Sequence, residues 1–258
     1  MKWLYAMMIA LSFGSCISYP LMHTAVAQNV PLLTQKSETR FTLASGTESF
    51  GFQGAWAFSK SFALIGSYST GLNELISWIP DVKVDNGSRW SGELAAGYYK
   101  LIGDKGVFEI YAGAERYYRN YSVTPYYGPH LIFATNYTLP FVQMDLGFQN
   151  IRKHSFAFSF KLGYMTYDHS TTLISDQIQQ DPNKLVSEPG YFGLIPGTVI
   201  EPCITYHVGN ENVSFQAQIG FAFTNLGAYS IYGGSYLDPF FLNVGLSLRL
   251  FAHKEEKK

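Results

Sequence analysis

An alternation with a period of two residues constrains this chain more than any other feature. From Leu242 to Leu250 every even position is a branched aliphatic residue and every odd one is polar or glycine. Successive side chains of a strand leave opposite faces. Leu242, Val244, Leu246, Leu248 and Leu250 therefore share one wholly apolar face, and Asn243, Ser247 and Arg249 share the other. The stretch has the length of a tilted membrane strand, roughly 9–11 residues. Elsewhere Phe156, Phe158, Phe160 and Leu162 alternate with Ser155, Ala157, Ser159 and Lys161. Val142, Met144, Leu146 and Phe148 alternate with Gln143, Asp145, Gly147 and Gln149. Phe108 and Ile110 alternate with Glu109, Tyr111, Gly113 and Glu115. The second face mixes small residues with isolated charges of both signs, as a narrow lumen requires.

About ten such segments are expected, near 38–46, 49–58, 61–70, 89–101, 106–119, 131–149, 153–168, 197–208, 212–225 and 238–251. Tight turns at 59–61, 103–106, 150–152 and 209–211 alternate with longer stretches at 71–88, 120–130, 169–196 and 226–237, the short link at 46–48 being the exception. Short turns on one side and long loops on the other, with an even strand number, define an all-β, transmembrane, antiparallel up-and-down barrel. Aromatic residues fall near the expected strand ends. Trp90, Tyr117, Tyr118, Tyr164, Tyr167 and Tyr229 are assigned to the long-loop rim, and Trp56, Phe58, Tyr98, Phe148, Tyr206 and Phe251 to the tight-turn rim. Pro202 falls inside the eighth segment, where it cannot donate to a ladder, so a bulge or strand start is expected there.

Composition supports this class. Charged residues make up 14% and aromatics 17%, against about 25% charged in ordinary soluble domains. Yet the mean hydropathy is +0.00, too polar for a bundle of membrane helices, and no apolar run beyond the N-terminus reaches the roughly 18 residues a helix would need. A net charge of −1 without a basic stripe excludes nucleic acid as a partner class.

The N-terminus has the form of an export signal. Lys2 is followed by a short apolar stretch from Trp3 to Phe13. Phe13-Gly14-Ser15-Cys16 then resembles a bacterial lipobox, with cleavage before Cys16 and a lipid on its sulfur. Cleavage after Ala25-Val26-Ala27 is the alternative. The expected organisation is a signal peptide at 1–15, an extended linker at 16–36, the barrel at 37–253 and a charged tail at 254–258. Cys203 is assigned to packing.

Asn29-Val30-Pro31-Leu32-Leu33, followed by Lys36-Ser37-Glu38, looks like the opening of a family of small outer-membrane β-barrel lipoproteins. In that family a Cys and a short extended segment precede an Asn-x-Pro-Leu-type element and a Lys-x-Glu that opens the first strand. Ser37 stands where the family more often has Gly. Phe52 to Phe58, Phe141 to Phe148 and Glu201-Pro202 are similar as well. The resemblance implies an outer-membrane barrel of Gram-negative bacteria. It brings no catalytic residues.

The alternation aims Glu93, Glu109, Glu115, Asp145, Glu201, Lys161 and Arg249 inward, where unpaired charge is costly. A paired, side-chain-filled lumen is expected, with a narrow pore as the alternative. An outer-rim hydrolase would draw on Asp168 and His169, but adjacent strand residues point to opposite faces. His207 is an isolated inward histidine. The sequence therefore predicts a structural or surface-interaction barrel that is not an enzyme, with no catalytic, cofactor or metal residues and one lipidation site, Cys16. Its expected partners are outer-membrane lipid, the barrel assembly machinery and an extracellular partner met through segments 71–88 and 169–196.

Overall fold

The computed structural model describes residues 23–24, 26–46, 49–71, 82–125, 131–150, 154–174, 197–210, 212–224, 237–238 and 240–250. Strands follow one another as β1 (Thr39–Gly46), β2 (Ser49–Trp56), β3 (Phe62–Gly71), β4 (Val82–Ile102), β5 (Gly106–Pro125), β6 (Leu131–Asn150), β7 (His154–Ile174) and β8 (Gly197–Gly209). They continue as β9 (Val213–Phe221, resumed at Phe223–Thr224) and β10 (Phe240–Leu250). Each strand pairs with its sequence neighbours, all antiparallel, and β10 closes the ring by pairing with both β9 and β1. The result is a closed antiparallel barrel of ten strands, and no described residue is helical.

The two-residue period decides which side chains go where. On β10, Leu242 and Val244 are 45% and 58% exposed, while Asn243 and Ser247 are 5% and 4% exposed. The same division holds on β6, where Val142, Met144, Leu146 and Phe148 face out and Gln143 and Asp145 are buried. The outside of the barrel is apolar, and the inside mixes polar and charged residues with small, aliphatic and aromatic ones.

The tight turns form where the sequence offers local hydrogen-bond acceptors. The Ser59 hydroxyl accepts from the amides of Ser61 and Phe62. The Asn210 side chain accepts from those of Asn212 and Val213, an Asx turn. Gly103 takes a φ of +60° between β4 and β5, a conformation that costs glycine nothing.

Strand limits at the tight-turn end lie within two residues of the sequence expectation. At the other end β4 begins at Val82, β5 runs to Pro125 and β7 runs to Ile174. Parts of the stretches expected as loops, 82–88, 120–125 and 169–174, are therefore paired sheet, as in Val84 opposite Val123 and Thr172 opposite Phe133. Nothing in their composition marks one buried face, so periodicity could not separate them from loop. Backbone pairing carried on from the hairpins below holds them.

Pro202 produces neither a bulge nor a strand start. Cys203 pairs with Gly220 and Ile200 with Phe223, so the register with β9 is unchanged across it. The ladder is simply interrupted: β9 breaks at Ala222, on the side to which the Pro202 carbonyl points, toward Gly220. On the other side the pairing with Phe160 continues. A missing N–H removes one bond without inserting a residue.

At the tight-turn rim, Trp56, Phe58, Phe62 and Tyr98 form a chain of rings with centroids 5.9–6.5 Å apart. Trp90 stacks on Tyr118 at the other rim. Tyr117 does not join it. Tyr117 shares the parity of Glu109 and Glu115, is fully buried in the lumen and stacks on Tyr137 at 4.7 Å. Tyr229, Phe251 and the Tyr167 side chain lie outside what is described.

Candidate functional site in the barrel lumen

Closing ten alternating strands brings all seven inward charges expected from the sequence into one lumen. Glu93, Glu109, Glu115, Asp145, Lys161 and Glu201 are buried, and the Arg249 side chain is 18% exposed. They share that space with residues 26–34, the end of the stretch expected as a linker. Val26, Gln28, Asn29, Val30, Leu32 and Leu33 are all buried. This segment is a plug.

Glutamines hold its upper part. The carbonyls of Ala27, Gln28 and Asn29 each accept from a glutamine amide, Gln53 of β2 at 2.8 Å, Gln218 of β9 at 2.7 Å and Gln143 of β6 at 2.9 Å. In return the Gln28 amide donates to the Glu201 carbonyl at 2.7 Å, and the Asn29 amide donates to the carbonyls of Gly54 and Gly66 at 2.8 and 3.1 Å. An extended segment has no internal backbone partners, and a buried orphan group costs about 1–3 kcal/mol. Walls bearing amide side chains supply what a neighbouring strand otherwise would. The alternation places Gln143 on the inward face but does not name its partner. The signal was present: inward glutamines need hydrogen-bond partners.

Further down, Glu109 receives the backbone N–H groups of Leu32 and Leu33 at 3.1 and 2.7 Å. Leu32 has a φ of +50°. A left-handed residue turns successive N–H groups toward one point, making an anion-binding nest. The carboxylate thus compensates a backbone conformation that leucine ordinarily avoids. Gly147 completes the seat, since a Cβ there would lie 2.2 Å from Leu32 Cδ2.

At the tight-turn end Glu38 ties plug to wall. Its carboxylate accepts from Arg40 Nε at 2.8 Å, Arg249 Nη2 at 2.7 Å and both the amide and hydroxyl of Thr34 at 2.9 Å. Arg40 also donates to the Leu32 carbonyl. Burial pushes the Glu38 carboxyl up, but the two guanidiniums and the Thr34 amide outweigh it and hold the group below its ordinary value. The neighbouring Ser37 has a φ of +65°, which explains why glycine suits that position.

A second cluster is built on Lys161. Its ammonium lies 2.6 Å from Glu93, 2.8 Å from Glu115 and 4.0 Å from Glu201, and 4.3 Å over the Phe141 ring. Asp145 accepts from Ser159 and from Gln143. One cation thus bridges strands β4, β5, β7 and β8 inside the ring.

The remaining candidates come together less. Both ring nitrogens of His207, an inward histidine as the alternation placed it, are buried without a hydrogen-bond partner. Cys203 packs with Ala222 and Phe241. β7 continues through Asp168 and His169, with Asp168 the extra residue of a bulge between pairs Tyr137–Tyr167 and Asn136–His169; their side chains lie outside what is described. So does Cys16. Among the described residues no group of three or more His, Cys, Asp or Glu is arranged to hold a metal. Chemically, the lumen satisfies an inserted peptide segment.

No family model matches the chain, and no curated protein matches it. Among solved structures, the crystal structure of CarO from Acinetobacter baumannii aligns at 9% identity over 83% of this chain and 97% of that one, with a TM-score of 0.24. A superposition that loose adds no weight, and the barrel rests on its own strand pairing.

Lys161→Met should destabilise the refolded barrel by about 3–5 kcal/mol in urea titrations, because it leaves buried carboxylates without their cation. Adding Glu93→Gln and Glu115→Gln should restore much of that loss. Glu38→Gln should also destabilise near neutral pH. The folded-state value of Glu38 is depressed, so its contribution is present above the unfolded-state value and lost as pH falls through the folded one. The gap between wild type and Glu38→Gln should therefore shrink on acidification below the ordinary carboxylate range. A gap that does not change with pH would contradict the tie.

Proposed function

We propose that this chain is a lipidated outer-membrane barrel, sealed by its own N-terminal segment, that works through its long-loop face and not by conduction. The observation that carries the membrane reading is the apolar outer belt. Phe41, Leu43, Phe52, Phe156, Phe158, Phe215 and the β10 aliphatics are all exposed. Soluble monomers rarely expose contiguous apolar patches beyond a few hundred Å². A closed barrel also leaves no strand edge with unpaired backbone groups in lipid. The ring chain at the tight-turn rim fits an interfacial girdle.

Sealing follows from the plug. Side chains of a ten-strand barrel alone leave a modest interior, and residues 26–34 run through it. Lipidation at Cys16 rests on the lipobox. Its support against cleavage after Ala27 is that Gln53 binds the Ala27 carbonyl, and a new charged amine on buried Gln28 would have no place there. A pore is the second reading, favoured by the neutral hydrogen bonds, about 0.5–1.5 kcal/mol each, that hold residues 27–29 of the plug.

Unboiled protein from the outer-membrane fraction should migrate differently on SDS gels from boiled protein. In planar bilayers wild type should stay at baseline, while a chain lacking residues 17–34 should conduct. Soluble protein without a mobility shift would refute the membrane reading. Wild-type conductance equal to that of the deletion would refute the seal. In cells fed labelled palmitate, wild type should take up label and Cys16→Ser should not; an unlabelled wild type removes the lipid.

A further inference from the structure

We infer that the plug is threaded from the long-loop face, so that the chain preceding His23 is presented on that face, opposite the C-terminal end of β10. This rests on the membrane reading for which face is external, but the threading stands on three observations of its own. First, His23 and Thr24 pair in parallel with Leu237 and Asp238. Those two residues immediately precede β10, which starts at its long-loop end and runs to Leu250 at the tight-turn end. A segment parallel to β10 at that point descends from the loops.

Second, the ties of the plug follow that descent. Ala27 to Asn29 bind the walls through Gln53, Gln143 and Gln218. Leu32 and Leu33 then bind Glu109, three residues from the tight-turn start of β5. Thr34 and Glu38 bind Arg249, the penultimate residue of β10, and Ser37 bonds to Ala57 in the turn after β2. Third, the chain leaves the lumen at the tight-turn end only to begin β1 at Thr39.

The consequence concerns Cys16. Six residues separate it from His23, seven Cα–Cα steps with a reach of up to about 25 Å. A lipid on Cys16 is thus tethered beside the leaflet at the long-loop face. To reach the opposite leaflet it would have to pass back through a lumen already filled by its own chain. A lipid-bearing segment also cannot enter a finished ring, so β10 must meet β1 with the segment already inside.

The test uses full-length chains carrying one epitope each, after Tyr19, within residues 180–190, or after Lys258. In intact cells the first two should bind antibody, and the third only after permeabilisation. If the 180–190 epitope is reached in intact cells while the Tyr19 epitope needs permeabilisation, the threading is wrong and the membrane reading stands. If all three behave alike, the membrane reading fails. Threading is then decided by purified protein carrying Thr24→Cys and Asp238→Cys: formation of that disulfide supports the threading, and its absence overturns it.

Discussion

A closed barrel with a polar interior must satisfy that interior without much water, and this requirement organises the molecule. Glu109, Gln143 and Gln218 are each buried by the closure of strands far apart in sequence. None finds a sufficient partner on its own strand. A length of main chain solves the problem, because an extended segment carries as many unpaired N–H and C=O groups as the wall carries unpaired side chains. Wall and plug therefore complete each other, and neither arrangement is favourable alone. The Lys161 cluster solves the same problem with charge, one ammonium serving carboxylates on three other strands.

The exterior obeys the opposite condition. Apolar residues alternate outward along the strands, and the backbone ladder runs around the ring with interruptions beside Pro202 and Pro140 and register shifts at Asn86/Arg89 and Asn136/Tyr137. The two ends differ in purpose. One is drawn tight by Ser59, Gly103 and Asn210 and anchored by the Glu38 tie. The other carries β4, β5, β6 and β7 well past the roughly 9–11 residues a membrane strand needs, so a paired collar stands beyond the apolar belt before the connections begin. Interaction at that end would involve sheet as well as loop.

Much of this was legible in residues alone. Alternation placed Lys161, Asp145 and Glu201 inside and Leu246 and Phe158 outside, because a strand's period of two is a local property of the backbone. Tyr117 was misassigned only where its position near a strand end was weighed above its parity. Residues 82–88 and 169–174 were taken for loop because hairpin pairing beyond a buried face leaves no pattern of its own. For Pro202 the chemistry was anticipated and the geometry was not, since whether a ladder slips or merely loses one bond depends on the strand beside it.

The sequence by itself therefore determined the class of fold, the strand order, the facing of nearly every strand residue and the need for partners inside. Only the tertiary structure decided what those partners are. Nothing local to Asn29-Val30-Pro31-Leu32-Leu33 announces a plug: the segment is short, without a period, and reads as a tether. Its meaning comes from Gln53, Glu109, Gln143 and Gln218, which stand 26 to 190 residues from their partners along the chain and meet it only when the ring closes. Side-chain direction is set within a few residues, but the satisfaction of a buried polar group is set by whatever the fold brings against it.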